Sequence, residues 1–203
     1  MPDAGRVITG SAGGLRLGAP GSATRPLSDK VKQSLFSIME SERGAIWTAP
    51  ALDLYAGSGA AGIEALSRGA PRAVFVERDL TAVRTILANL DHTRLGELGR
   101  IVSRDALDWL DAGPAAVPET PFGSVIIDPP YALSDELMAC LDRLGAAVHL
   151  WCDTGGVIAA KHFWKDVPPE RVGVLQRVRQ RRFGGTALSV YRRDPHLVVG
   201  EHR

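Results

Sequence analysis

Four acidic residues stand in or just after short apolar runs. Asp53 lies within Ala51-Leu52-Asp53-Leu54, Glu77 follows Ala73-Val74-Phe75-Val76, Asp105 comes soon after Ile101-Val102, and Asp128 follows Phe122-Gly123-Ser124-Val125-Ile126-Ile127. If these runs are strands of one parallel sheet, the four carboxylates gather on one rim, where ligands of open α/β sheets bind. No lysine or arginine lies in the first turn, so the rim suits a ligand with cationic, hydroxyl and amino groups better than a bare phosphate. The last acid opens Asp128-Pro129-Pro130-Tyr131. Two prolines fix φ and lack an N–H, which stiffens the backbone and leaves the Pro129 carbonyl free to accept a hydrogen bond. An exocyclic amine on a nucleobase is a poor nucleophile, because its lone pair is delocalised into the ring. Asp128 and the Pro129 carbonyl, accepting its two hydrogens, let the nitrogen pyramidalise and aim that lone pair, so positioning supplies most of the catalysis. Tyr131 offers a flat ring for the base to stack on. A paired base must first be flipped out to reach it.

The element that positions this chemistry is Ala51 to Gly62, which reads as strand, tight turn and helix, with the helix starting near Ala60. Gly57 and Gly59 can take positive φ and let a ligand approach the main chain, beside the free N–H groups of the helix start. The spacing Gly57-x-Gly59-x-x-Gly62 also satisfies the dinucleotide fingerprint and does not by itself separate NAD from other adenosine-containing cofactors. Asp53 tips the balance, since its carboxylate repels a pyrophosphate and attracts an ammonium. Glu77, 20 residues beyond Gly57, is placed to bind ribose hydroxyls. Asp105 suits an adenine amino group or, equally simply, a helix cap. S-adenosylmethionine carries a sulfonium, an ammonium, a ribose and an adenine amino group, and is preferred to NAD. The expected cofactor contacts are Asp53, Tyr55, Ala56, Gly57, Ser58 and Gly59 from the first turn. Glu77 and Arg78, Asp105 and Ala106, and Asp128 add those of the later strand ends.

Around this centre, residues 6 to 18 read as a hairpin turning at Gly10-Ser11-Ala12-Gly13-Gly14. Pro20 to Ala23 is a linker, and Ser28 caps a helix that puts Val31, Leu35, Ile38 and Met39 on one face. Leu133 to Leu150 reads as one helix and Gly156 to Ala160 as a fifth strand. Residues 171 to 182 alternate as a single strand with Arg171, Arg177, Arg179 and Arg181 on one face, opposite Val172, Val174 and Val178. Gly184-Gly185 then turns into a last strand, Thr186 to Arg193, closing an antiparallel hairpin. The expected organisation is an N-terminal arm and linker over 1–27 and a single α/β domain over 28–203.

The 203 residues, 45% hydrophobic, are enough for one α/β core. No run of about eighteen apolar residues is present to span a bilayer, and the first residues lack the apolar core of a secretion signal. Cys140 and Cys152 lack Cys-x-x-Cys spacing and fit core thiols in a reducing compartment, so a cytoplasmic location is expected. The five histidines show no metal-ligand spacing, and no metal is expected. The net charge of +1 conceals a division: residues 171 to 193 carry seven arginines and no acid, whereas residues 33 to 170 carry 11 basic and 19 acidic residues. Two basic ends flanking an acidic middle suit a polyanion, whose phosphates Arg and Lys neutralise. The expected contacts are Arg6, Arg16, Arg25, Lys30 and Lys32 at one end and Arg177, Arg179 and Arg181 at the other.

In combination these segments resemble a known family, the methyltransferases that modify the N2 amine of a guanine in bacterial small-subunit ribosomal RNA. The resemblance rests on Arg6-Val7-Ile8-x-Gly10, on Arg25-Pro26-x-x-Asp29-Lys30-Val31 with Leu35-Phe36, and on Asp53 to Ala70. Asp128 to Tyr131 and Phe183-Gly184-x-Thr186-x-Leu188-x-x-Tyr191 complete it. It implies a Rossmann-like, seven-stranded class I methyltransferase sheet, mostly parallel, ending in the antiparallel hairpin and preceded by the small hairpin arm. It also implies S-adenosylmethionine held by Asp53, Gly57, Gly59 and Glu77, and a target amine held by Asp128, Pro129, Pro130 and Tyr131. The substrate implied is 16S ribosomal RNA in an assembled or assembling subunit, guided by the arm and its helix; a monomer is expected. Where the family places an aromatic and a basic residue in the first hairpin turn, this chain has Ala12 and Gly13, which weakens the case for RNA contact there. The Asp-Pro-Pro-Tyr chemistry serves the N6 amine of adenine in DNA or RNA equally well. A non-catalytic RNA-binding module and a nicotinamide-dependent oxidoreductase are the remaining alternatives.

Overall fold

The computed structural model describes residues 3–21, 27–44 and 46–194. The expected hairpin is present as β1 (Asp3–Arg6) and β2 (Arg16–Gly18), antiparallel to one another. The capped helix follows as α1 (Asp29–Arg43), with the Ser28 side chain accepting from the Val31 N–H. The centre is built from β3 (Ala51–Leu54), α2 (Ala60–Ser67), β4 (Ala73–Val76), α3 (Leu80–Thr93), β5 (Gly99–Val102) and α4 (Ala106–Asp111). Then come β6 (Phe122–Ile127), α5 (Ser134–Ala146), α6 (Val148–Trp151) and β7 (Cys152–Phe163). The chain closes with β8 (Arg171–Val172), β9 (Leu175–Phe183) and β10 (Thr186–Arg193).

One sheet runs in the order β5-β4-β3-β6-β7-β10-β9-β8. Its first five strands pair in parallel, and β10 is antiparallel to both β7 and β9. From β3 the chain steps outward to β4 and β5, then returns to the other side of β3 as β6. The switch point therefore falls between β3 and β6. Leu52, Val74, Val125 and Ile158 pack with α4, α5 and α6 on one face, whereas Ala51, Phe75, Ile126 and Ala159 pack with α1, α2 and α3 on the other. Burial on both faces explains why the parallel strands are almost wholly apolar in sequence.

The arm belongs to the same core. Ala4, Val7, Ala12 and Leu17 are buried in the cluster that holds α1 and α2, and the buried Glu64 carboxylate of α2 accepts from the Ile8 and Thr9 N–H groups at 2.7 and 3.2 Å. Lys32, expected on the RNA face, is fully buried here and donates to the Arg6 carbonyl. It holds the arm down beside Glu64 and is removed from any surface set.

Three other expectations change. The segment 171–182 is two strands, because Gly173, with φ 55°, turns the chain between β8 and β9 where α5 presses on it: Val174 N–H reaches the Gly145 carbonyl at 3.5 Å. The sheet therefore has eight strands, the last a two-residue edge. Leu133 to Leu150 is not one helix, since Ala147 leaves helical geometry at φ −133° and separates α5 from α6. The break seats Trp151 against Trp109, ring centroids 5.1 Å apart. Finally, the strand read as ending at Ala160 continues to Phe163, because β10 supplies partners for Lys161, His162 and Phe163 in Leu188, Ala187 and Thr186.

Candidate active site

The turn after β3 gathers three residues of positive φ within five positions. Tyr55, Gly57 and Gly59 have φ of 62°, 56° and 76°. For a tyrosine that conformation is costly, of the kind that persists at functional sites. Its hydroxyl lies 3.6 Å from Cys140 Sγ, and burial pushes its pKa above the ordinary range. Asp53 is buried on the α2 side of β3 and accepts from the Gly62 N–H at 2.8 Å, bracing the start of the helix. Gly62 allows this because a Cβ there would lie 2.2 Å from Phe75 Cε1. Burial raises the Asp53 carboxyl well above its usual range, and the charges of Asp128 and Glu77 push the same way. Glu77 lies beside the turn, accepting from the Gly57 N–H at 2.8 Å. Asn89 of α3 was not singled out from sequence. Its amide donates to the Ser58 and Gly18 carbonyls and accepts from the Gly18 N–H, tying the arm to this turn.

At the third strand end, Asp105 does cap α4, accepting from the Leu107 N–H at 2.9 Å. Its other oxygen receives Arg78 Nη1 at 2.9 Å, and Ala106 begins the helix as a buried residue. Both Asp105 and Arg78 stand on the same rim as Glu77.

Asp128 comes directly beside the first turn, because β6 pairs with β3 and the Asp128 N–H donates to the Leu54 carbonyl at 3.3 Å. The Pro130 carbonyl accepts from Leu133, and among the described residues no hydrogen bond engages the Pro129 carbonyl. Tyr131 is held by a hydrogen bond between its hydroxyl and Thr186 Oγ1. The residue that sequence reasoning missed is Lys161. Its ammonium makes an ion pair with Asp128 Oδ1 and lies 5.3 Å from the centre of the Tyr131 ring. Burial pushes the Asp128 carboxyl up, and the Lys161 charge opposes the shift. Pro129, Pro130, Tyr131, Lys161 and Phe163 line one crevice. Acceptors, a flat ring and a cation thus gather at the end of β6, the strand paired with β3.

The basic residues divide. Arg6 pairs with Asp29 at 3.2 Å and Arg16 with Asp3 at 2.5 Å, both on the surface, where such pairs contribute about 0–1 kcal/mol and leave the cations available. Lys30 is exposed, and Arg25 lies outside the described residues. Arg177, Arg179 and Arg181 do not share a face. Arg177 pairs with Tyr191 and Arg179 with Val190, leaving Val178 as an extra residue in a β-bulge. The bulge reverses the alternation, so Arg177 lies on the face of Tyr191 and donates to the Pro168 carbonyl, whereas Arg179 and Arg181 lie on the α1 face. There Arg179 pairs with Glu42 at 2.7 Å.

Comparison with known proteins agrees with this arrangement. The family model described as "Conserved hypothetical protein 95" matches residues 5–192. YlbH of Bacillus subtilis (strain 168) is 38% identical over 193 residues, covering 93% of this chain and 98% of its own. Ribosomal RNA small subunit methyltransferase D of Escherichia coli (strain K12) is 36% identical over 149 residues, 69% of this chain and 68% of its own. The solved structure of yhhF from Escherichia coli superposes with a TM-score of 0.77 at 28% identity, covering 93% of this chain and 97% of that one. By a match running through arm, turn, Asp-Pro-Pro-Tyr and final hairpin alike, the chain belongs to the Conserved hypothetical protein 95 family, in the company of the ribosomal RNA small subunit methyltransferases D.

Proposed function

We propose that the protein transfers a methyl group from S-adenosylmethionine to the N2 amine of a guanine in small-subunit, 16S ribosomal RNA. The observation that carries the proposal is that β3 and β6 pair side by side where the sheet reverses its order, so that Asp128-Pro129-Pro130-Tyr131 and the glycine turn leave from neighbouring strand ends. This neighbourhood supports a donor site beside an amine-accepting site. The residues present fit the donor: Glu77 and Asp128 stand at the ends of the two strands flanking β3 and offer acceptors for its amino and hydroxyl groups, while Asp53 braces the turn from beneath through the Gly62 N–H. Glu77, whose oxygens accept from the Gly57 and Asp79 N–H groups, is assigned the ribose hydroxyls on the strength of its position beside the turn, and the positive φ of Gly57 and Gly59 supports close approach of the cofactor to the main chain. When bound, S-adenosylmethionine supplies a methyl on a cationic sulfur that leaves with the bonding pair.

The protein's own residues then act on the amine. Asp128 and the Pro129 carbonyl accept its hydrogens and localise its lone pair, and Asp128 takes the surplus proton after transfer. Lys161 opposes the upward push of burial on the Asp128 carboxyl, and Tyr131, clamped by Thr186, is the ring on which the base stacks. The choice of ribosomal RNA is supported by the similarity to proteins of that name, and the choice of guanine N2 by the family resemblance of the flanking segments. The protein is expected to act as a monomer on the assembled or assembling subunit.

The test is transfer of labelled methyl to unmodified small ribosomal subunits, followed by digestion to nucleosides. N2-methylguanosine is the expected product. Methylated adenosine would keep the mechanism and overturn the base, and no transfer to subunits, free ribosomal RNA or DNA would overturn the function. Asp128→Ala is expected to abolish transfer while leaving affinity for S-adenosylhomocysteine within a few fold.

A further inference from the structure

A chain of aromatic rings leads out of the crevice to the surface. Tyr131 lies 6.1 Å from Phe163, and Phe163 lies 6.2 Å from Trp164. Phe163 and Trp164 are half-buried, at the turn that follows β7. That turn is fixed from two sides: the Trp164 N–H donates to the Gly185 carbonyl at 3.2 Å, and the Asp166 N–H to the Phe163 carbonyl at 3.0 Å. It is thereby joined to the Gly184-Gly185 tip of the last hairpin. Cations cover the rings. The Arg182 guanidinium lies 3.5 Å over Trp164, Lys165 lies 5.4 Å from the same ring, and Arg181 lies 5.4 Å from Phe183. Among the described residues, none of Lys165, Arg181 and Arg182 forms an ion pair within the protein, and Asp166 is the single acid between residues 161 and 169.

Single cation–π pairs are ordinary in folded proteins, and Arg182 also donates to the Gly184 carbonyl at 2.8 Å, but three cations without counter-charges gathered over half-exposed rings at one tip suit a single nucleic-acid strand. Guanidinium and indole planes stack with any base while the cations meet its phosphates. A duplex keeps its bases stacked on one another and offers the rings nothing.

We propose that the Trp164–Arg182 tip is a stacking platform for an unpaired nucleotide of the RNA strand beside the target base. The inference rests on the proposed function, since it takes the Asp128 crevice as the place where that base is held. The strand would leave the crevice past Phe163 and lay the neighbouring base on the Trp164–Arg182 stack, with Lys165 and Arg181 on its phosphates. The flipped base is then anchored from one side before chemistry.

The platform is tested by fluorescence anisotropy with a short, labelled single-stranded RNA of mixed sequence and with the same strand annealed into a duplex. Trp164→Ala is expected to weaken single-strand binding roughly ten- to hundredfold, the range of one missing base stack. It should leave duplex binding, the salt dependence and the affinity for S-adenosylhomocysteine unchanged. Trp164→Phe should recover most of the loss, and Lys165→Gln should instead lower the salt slope by about 0.7. Single-strand affinity within twofold of wild type for Trp164→Ala, or an equal loss for single strand and duplex, overturns the platform. If Trp164→Ala does not fold, the exposed Arg182→Gln carries the test, with a selective single-strand loss expected, and no change or an equal loss for single strand and duplex overturning it. Since binding is read without methyl transfer, the two readings fail separately. A protein that methylates no subunit but loses single strands with Trp164 keeps the platform, whereas one that methylates them with an unchanged KM in Trp164→Ala loses it.

Discussion

In the proposed reaction, the pH dependence is expected to turn on the ion pair of Lys161 and Asp128. Burial raises the carboxyl of Asp128 and the ammonium beside it holds the shift back, so the ionised acceptor is present only above a pH set by their difference. Lys161→Met removes the opposing charge. The carboxyl then titrates higher, and the acid limb of kcat is expected to move to higher pH, with activity recovering toward wild type on the alkaline side. A purely structural lysine would lower activity evenly across the profile and leave the limb in place. Asp128 was legible in the sequence because two prolines and an aromatic residue follow it. Lys161 was not, since the apolar run that marks a buried strand ends at Ala160. The strand goes on for three more residues through pairing with β10, and a long-range partner leaves no mark in the local pattern.

The strand-turn-helix unit from β3 to α2 shows how tightly an element must close before a site can form on it. Gly62 lets α2 approach β4 so nearly that an added Cβ would fall 2.2 Å from Phe75 Cε1, and Asp53 is bonded to that same residue's N–H. Gly62→Ala is therefore expected to destabilise the fold by about 1–3 kcal/mol through overpacking, as read by urea denaturation. Gly96→Ala is its control: nothing lies within 4 Å of a Cβ there, and the midpoint should barely move. Equal effects would show that the α2–β4 approach is not the constraint. This unit was readable from its glycine spacing, because each glycine answers a local demand. The break between α5 and α6 and the turn between β8 and β9 were not. Both arise where α5 meets β8 across the fold, and neither segment carries a proline or an isolated polar cluster at the break.

At the scale of the whole molecule, the division of charge between the ends and the middle was plain in the sequence, but its placement depended on burial and on one inserted residue. Lys32 is spent on the arm, and the bulge at Val178 sends Arg177 to the opposite face from Arg179 and Arg181. Strict alternation puts all three arginines together, and a bulge is set by cross-strand pairing that alternation alone does not reveal. The consequence is measurable. Arg177 donates to the Pro168 carbonyl at 2.7 Å and so supports the segment leading to β8, whereas Arg181 and Lys30 are exposed without an ion pair among the described residues. Lys30→Gln with Arg181→Gln is expected to weaken ribosomal RNA binding and to lower the salt slope by roughly 0.7–0.9 for each phosphate left without its cation, with the melting temperature held. Arg177→Gln should do the reverse, lowering the melting temperature by a few degrees while the salt slope stays where it was. If Arg177→Gln flattens the slope as much as the pair does, RNA wraps both faces of the final hairpin and the bulge does not divide them.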